Sequence, residues 1–135
     1  MLLVIDANPF IAGFLRNSAS RRIILSDGVE LFSPEWLLKE FEKNEFELRE
    51  KFPASENFWE TKKILFAFIK LVPAAEYSEH MKEASKLSKN AKDDPYFALA
   101  LSLNCAIWSD ESSFKRQQSV KVFSTSDLVK ELDKP

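Results

Sequence analysis

The chain has 135 residues, 45% of them apolar and 30% charged, with a formal net charge of −2. That is an ordinary globular mixture with enough length for one domain (residues 1–135), and it excludes disordered and fibrous classes. It also gives nucleic-acid binding no help from bulk charge, so any RNA contact needs a local basic patch or a bound metal.

Cys105 is the sole cysteine, so no internal disulfide can form, and a reducing cytoplasmic setting is expected. No apolar run reaches membrane-spanning length and no secretion signal is visible. Two glycines are too few for a phosphate-cradling loop, and a single histidine, His80, leaves no material for multi-histidine metal sites. Twelve phenylalanines and three tryptophans exceed what one small core readily hides, so an exposed aromatic patch for a partner or for a homodimer is expected.

In chain order, Leu2-Leu3-Val4-Ile5-Asp6 is an unbroken aliphatic run ending in an acid. It reads as a strand covered on both faces, with Asp6 at its carboxyl end. Asn8-Pro9 looks like an N-cap with proline in the first turn, opening a short helix over 10–15. Ser18 or Ser20 is expected to cap a second piece through Leu25, closed by Gly28 as a helix C-cap. Glu30-Leu31-Phe32 reads as a second strand. Ser33-Pro34 repeats the cap-plus-proline pattern before the longest expected helix, over 35–51, with Leu37, Phe41, Leu48 and Phe52 as its apolar stripe and Glu40 at the margin. Phe52-Pro53 ends it. Ser55 is the expected cap of a helix over 56–70, giving an antiparallel, Phe-rich helical pair.

Leu71-Val72-Pro73 reads as an edge strand because of its proline, and 77–88 as an amphipathic helix. Asp94-Pro95 is a third cap-plus-proline start, opening a helix that is apolar all round and therefore buried. Strands are expected over 106–109 and 120–123. Ser124 with Asp127 resembles a capping box for a last helix over 127–132. Strands alternating with helices argue a three-layer α/β/α domain with a mainly parallel sheet.

The acids carry the chemistry. Strand ends and helix starts share one edge of a parallel α/β sheet, so Asp6, Asp94 with Asp93 before it, and Asp110-Glu111 can converge there, with Glu40 as a fourth contributor. Like charges so close need a cation, and carboxylate oxygens suit Mg²⁺ or Mn²⁺. Such a centre fits phosphodiester hydrolysis by activated water. Taken singly, Asp94 is accounted for as a helix cap, Glu40 as a solvated residue, and Asp110 and Glu111 as turn residues. The shared edge is what argues against four unrelated roles.

The set Asp6-Ala7-Asn8, Glu40 in Trp36-Leu37-Leu38-Lys39-Glu40-Phe41, Asp93-Asp94-Pro95-Tyr96-Phe97-Ala98-Leu99-Ala100, and Ile107-Trp108-Ser109-Asp110-Glu111 with Phe114 resembles the PIN-domain family, in the size class of small prokaryotic VapC-type toxins. The resemblance covers nearly the whole chain. It implies a metal-dependent ribonuclease with a parallel sheet and the helical pair as a clip, which forms homodimers or pairs with an antitoxin. It further implies Asp6, Glu40 and Asp94 as catalytic metal-site acids, with Asn8, Asp93 and Ser109 in support.

Ser109 stands where the family often has Thr, so Glu111 falls in the place of its Asp, and Asp110 is the adjacent alternative as fourth acid. Lys39, Lys43, Lys89, Lys92, Lys115 and Arg116 flank the acidic segments as candidate RNA-phosphate contacts. The reading is therefore a PIN-like endoribonuclease using Mg²⁺ or Mn²⁺. The alternatives are a non-catalytic PIN-like module binding RNA or protein through a degraded site, and an unrelated α/β binding domain whose acids are caps.

Overall fold

Leu2–Ile5 forms β1, and its unbroken apolar character has the expected consequence: it is the central strand. The computed structural model describes residues 1–134. Its five strands are β1, β2 (Glu30–Pro34), β3 (Ile69–Val72), β4 (Ala106–Trp108) and β5 (Val122–Phe123). They form one all-parallel sheet in the order β3-β2-β1-β4-β5. The helices are α1 (Ala7–Leu15), α2 (Ala19–Ile24), α3 (Trp36–Lys43), α4 (Glu45–Lys51), α5 (Phe58–Ala67), α6 (Met81–Leu87), α7 (Asp94–Leu103) and α8 (Thr125–Leu132).

Successive side chains of a strand point to opposite faces, and β1 divides the core accordingly. Leu3 and Ile5 enter one layer with Phe10, Phe14, Phe41, Leu65 and Leu128, drawn from α1, α3, α5 and α8. Val4 enters the other layer with Tyr96, Phe97, Ala100 and Phe114. Phe14 is the hub of the first layer, its ring centroid 4.9 Å from Phe41, 4.9 Å from Phe52 and 5.0 Å from Phe58. Phe46, Trp59, Phe68 and Trp36 stay exposed, as the aromatic surplus led us to expect.

Several boundaries differ from expectation. The helix over 35–51 is broken at Asn44, whose Nδ2 donates to the Glu40 carbonyl at 2.9 Å while its backbone N–H donates to the Glu40 and Phe41 carbonyls. An Asn side chain competing for helical carbonyls ends α3, and α4 begins at the next residue. The helical clip is then α4 against α5: Lys62 bonds Glu45 at 3.4 Å and Arg49 lies 5.6 Å from the Trp59 ring, pairings that run antiparallel.

Ser33-Pro34 opens no helix but ends β2 beside Leu71 and Val72 of β3, and Ser33 Oγ donates to the Ile5 carbonyl at 3.0 Å. Asn57 rather than Ser55 caps α5, accepting from Glu60 N at 2.9 Å. Residues 69–70, expected in that helix, begin β3, which is the expected edge strand. Ser78–His80, expected in the amphipathic helix over 77–88, turns as a 3₁₀ helix before α6. Gly28 caps no helix; its carbonyl accepts from the N-terminal ammonium at 3.0 Å. The Ser124–Asp127 capping box is present.

Candidate metal centre at the carboxyl edge of the sheet

Asp6 leaves β1 and is itself the N-cap of α1, so the expected cap Asn8 is instead an exposed residue of the first helical turn. Its backbone N–H donates to the Trp108 carbonyl of β4 at 2.9 Å. One carboxylate oxygen accepts from Ala7 N at 2.8 Å and the other from Ser109 Oγ at 2.8 Å. Ser109 is anchored by its own N–H to the Phe123 carbonyl at 3.0 Å, and its Oγ also accepts from Glu111 N at 3.1 Å. The main-chain order of three strands thus holds one carboxylate in one orientation.

Asp6 is 4% exposed. Burial pushes its carboxyl up to about 7; the bonds from Ser109 and Ala7 oppose this, and the charges of Asp93 and Glu40 add to it. Asp93, equally buried, is raised first by burial and then by Glu111, against the pull of Lys92 and Asn90, with Glu40 raising it further. Glu40, half-buried on α3, accepts from Tyr96 Oη at 2.6 Å. Tyr96 is buried, and burial followed by the Glu40 charge holds its phenol protonated far above the usual range, so it stays a donor. Asp6, Glu40, Asp93 and Glu111 therefore share one electrostatic neighbourhood.

Two expected acids point elsewhere. Asp94 is the first residue of α7 and accepts from Ser88 Oγ, while the preceding Asp93 is buried and its charge, of the two, is the one that raises Asp6. Asp110 is exposed and accepts from Thr125 N at 2.6 Å and Thr125 Oγ1 at 2.7 Å, holding the start of α8, where negative charge is favoured. Of the two alternatives for the fourth acid, Glu111 is the one whose charge reaches Asp93. Tyr96 is a site residue that the sequence reading missed. The signal was a tyrosine in an apolar helix, whose hydroxyl needs a partner once buried.

The basic residues divide. Lys115 bonds Asp127 at 2.6 Å, and Lys92 lies near enough to lower Asp93. Lys39, Lys43, Lys89 and Arg116 are exposed and, among the described residues, form no ion pair. Cys105 is partly buried and its thiol is pushed up to about 11 by desolvation, which suits an inert packing residue.

In donor chemistry the four carboxylates fit a hard divalent cation, since the charges that raise Asp6 and Asp93 are those a cation relieves. Among the described residues no three Asp, Glu, His or Cys side chains already converge as a coordination group. The acids surround a common region rather than closing on a point.

A parallel α/β sheet whose central strand delivers a buried acid to an edge shared with three others defines the class. A family model for the PIN domain matches residues 4–133, and the chain belongs to the PIN-domain family. Two solved structures share the fold. A crystal structure of VapBC2 from Rickettsia felis bound to a DNA fragment from its promoter aligns at 13% identity with a TM-score of 0.65, over 92% of this chain and 98% of that one. VapBC-1 from nontypeable Haemophilus influenzae aligns at 18% identity with a TM-score of 0.64, over 93% and 99%. No curated protein matches the sequence significantly. Among the described residues, no helix is long and apolar enough to cross a membrane.

Proposed function

We propose that the protein is a Mg²⁺- or Mn²⁺-dependent endoribonuclease acting in the cytoplasm. The observation that carries this reading is Asp6, almost wholly buried, charged only against burial, and raised further by the charges of Asp93 and Glu40 at the carboxyl edge of the sheet. Asp6 and Asp93 would hold the cation directly, with Glu40 and Glu111 holding it through water or completing a second position. When bound, such an ion supplies activated water and offsets the charge that develops on phosphate oxygens.

The chain's own part is orientation. Ser109 and Ala7 N–H fix the Asp6 carboxylate, and Tyr96 fixes Glu40. The Ser109 hydroxyl donates to Asp6 and so orients that carboxylate, and water is the attacking group in this reading. Exposed Lys39, Lys43 and Arg116 offer charge to RNA phosphates. The VapBC neighbours support a toxin role with an antitoxin partner, and exposed Trp36, Phe46, Trp59 and Phe68 support a protein interface, a homodimer included.

The test is cleavage of a single-stranded RNA labelled at both ends. Wild type is expected to cut with Mn²⁺ or Mg²⁺ and not in EDTA, and Asp6→Asn is expected not to cut. Equal activity of the two proteins overturns the proposal. The dispersed carboxylates favour one second reading, a PIN-like binding module without catalysis. That reading predicts RNA binding with no cleavage under any metal.

A further inference from the structure

Beside the carboxylate centre, and separate from it, lies a cavity of about 240 Å³ lined by Glu35, Trp36, Lys39, Tyr77, Met81 and Pro95 among others. It is smaller than the roughly 300–1,000 Å³ pockets that take drug-sized ligands, which suits a single flat ring system. Two neighbours tie it to the acids. Trp36 stands four residues before Glu40 on α3, one helical turn or about 6 Å along the axis, and Pro95 lies two residues after Asp93.

Tyr77 marks the cavity as more than a surface dent. The residue is 4% exposed overall, but its hydroxyl is open to solvent where it lines the cavity and makes no hydrogen bond among the described residues, so it is free to bond a ligand there. The Glu35 carboxylate lies close enough to push that phenol upward, second only to burial. Trp36, 37% exposed, offers an aromatic face at the rim, and Lys39 a cation. The cavity therefore combines a stacking surface, a carboxylate acceptor and an unused hydroxyl.

We propose that this cavity is a nucleobase subsite, taking a guanine splayed from the RNA strand whose phosphate lies at the carboxylate centre. The proposal rests on the ribonuclease reading above and adds its base preference. Bases of single-stranded RNA are read by stacking on aromatic side chains and by bonds to their Watson–Crick edges. Guanine presents two adjacent N–H donors there for the Glu35 carboxylate, next to the O6 acceptor for the Tyr77 hydroxyl. Cytosine, adenine and uracil each present fewer N–H donors on that edge.

The experiment titrates metal-free protein in EDTA with GMP, AMP, CMP and UMP, following the indole N–H resonances by NMR. The phosphate is common to all four, so differences report the base, and no cleavage is involved. GMP is expected to shift the Trp36 indole with at least about tenfold tighter affinity than the others, leaving Trp59 and Trp108 unmoved. Glu35→Gln and Tyr77→Phe, which keep side-chain size and packing, are each expected to weaken GMP about tenfold, the worth of one buried hydrogen bond. Equal affinity for all four nucleotides, no shift at Trp36, or GMP binding indifferent to both substitutions overturns the subsite. GMP preference without RNA cleavage overturns the nuclease reading and leaves the subsite standing; cleavage without GMP preference does the reverse.

Discussion

Replacing Asp6 by Asn in metal-free protein is expected to make it more stable at alkaline pH, though the residue sits at the heart of the site. Burial and the neighbouring acids lift the Asp6 carboxyl to about 7 in the folded chain from 3.8. A carboxyl whose folded value is raised stabilises the fold fully below the unfolded value, and that contribution is lost as pH rises through the folded one. The whole gap of about 3 units corresponds to about 4 kcal/mol. Most of the loss falls between pH 5 and pH 8, where it amounts to about 2–3 kcal/mol.

Asn is neutral throughout. Its carbonyl oxygen can accept from Ala7 N and its amide can donate to Ser109 Oγ, so both bonds seen in the wild type have a counterpart. With Asp6 only 4% exposed, solvent screens little of the effect. Urea unfolding in EDTA at pH 5, 6, 7 and 8, followed by far-ultraviolet circular dichroism, measures it. The stability difference should move by about 2–3 kcal/mol in favour of Asp6→Asn from pH 5 to pH 8. A difference independent of pH, or one moving the other way, refutes the reasoning. Mn²⁺ at pH 8 should then stabilise the wild type and leave the variant unchanged.

Three further outcomes follow from the same geometry. Asp93→Asn should reduce RNA cleavage by more than the roughly 10–100-fold typical of an outer-shell change, whereas Asp94→Asn, which meets only Ser88, should stay within a few-fold of wild type; parallel cleavage assays decide which acid belongs to the site. Tyr96→Phe removes the 2.6 Å bond to Glu40. It should lower stability by about 1 kcal/mol in urea unfolding, and it should slow cleavage while leaving the fold intact by circular dichroism. Gly13→Ala places a methyl 2.8 Å from Ile24 Cδ1 and 3.1 Å from Arg21 N, where α1 meets α2. The expected loss is about 1–3 kcal/mol, read as a lowered urea midpoint.

Much of this arrangement was legible in the chain. The aliphatic run ending in Asp6 announced a central parallel strand by its composition, and the Ser124–Asp127 box, a contact three residues apart, announced α8. Asp6 and Glu40 were likewise visible as candidates. Which carboxylates face the centre was harder to read. Asp93 stands three, four and seven residues before the buried Tyr96, Phe97 and Ala100, a helical spacing that marks the inner face, but the adjacent Asp94-Pro95 cap motif masks it. Asn44 looked like one residue among many in a long amphipathic pattern, and its side chain ends a helix by a bond that periodicity does not encode.

Local pattern sufficed for the alternation of strands with helices and the parallel sheet, because hydrophobic period and capping chemistry act over short stretches of chain. Tertiary packing alone decided that the charge of Asp93, rather than that of Asp94, is the one that raises Asp6, that Asp110 turns to Thr125, and that Tyr96 donates to Glu40. Each of these depends on which of two neighbouring side chains a fully packed layer turns inward. That choice is made by residues 15 to more than 80 positions away along the chain, brought close only when the sheet and its two helical layers close over one another.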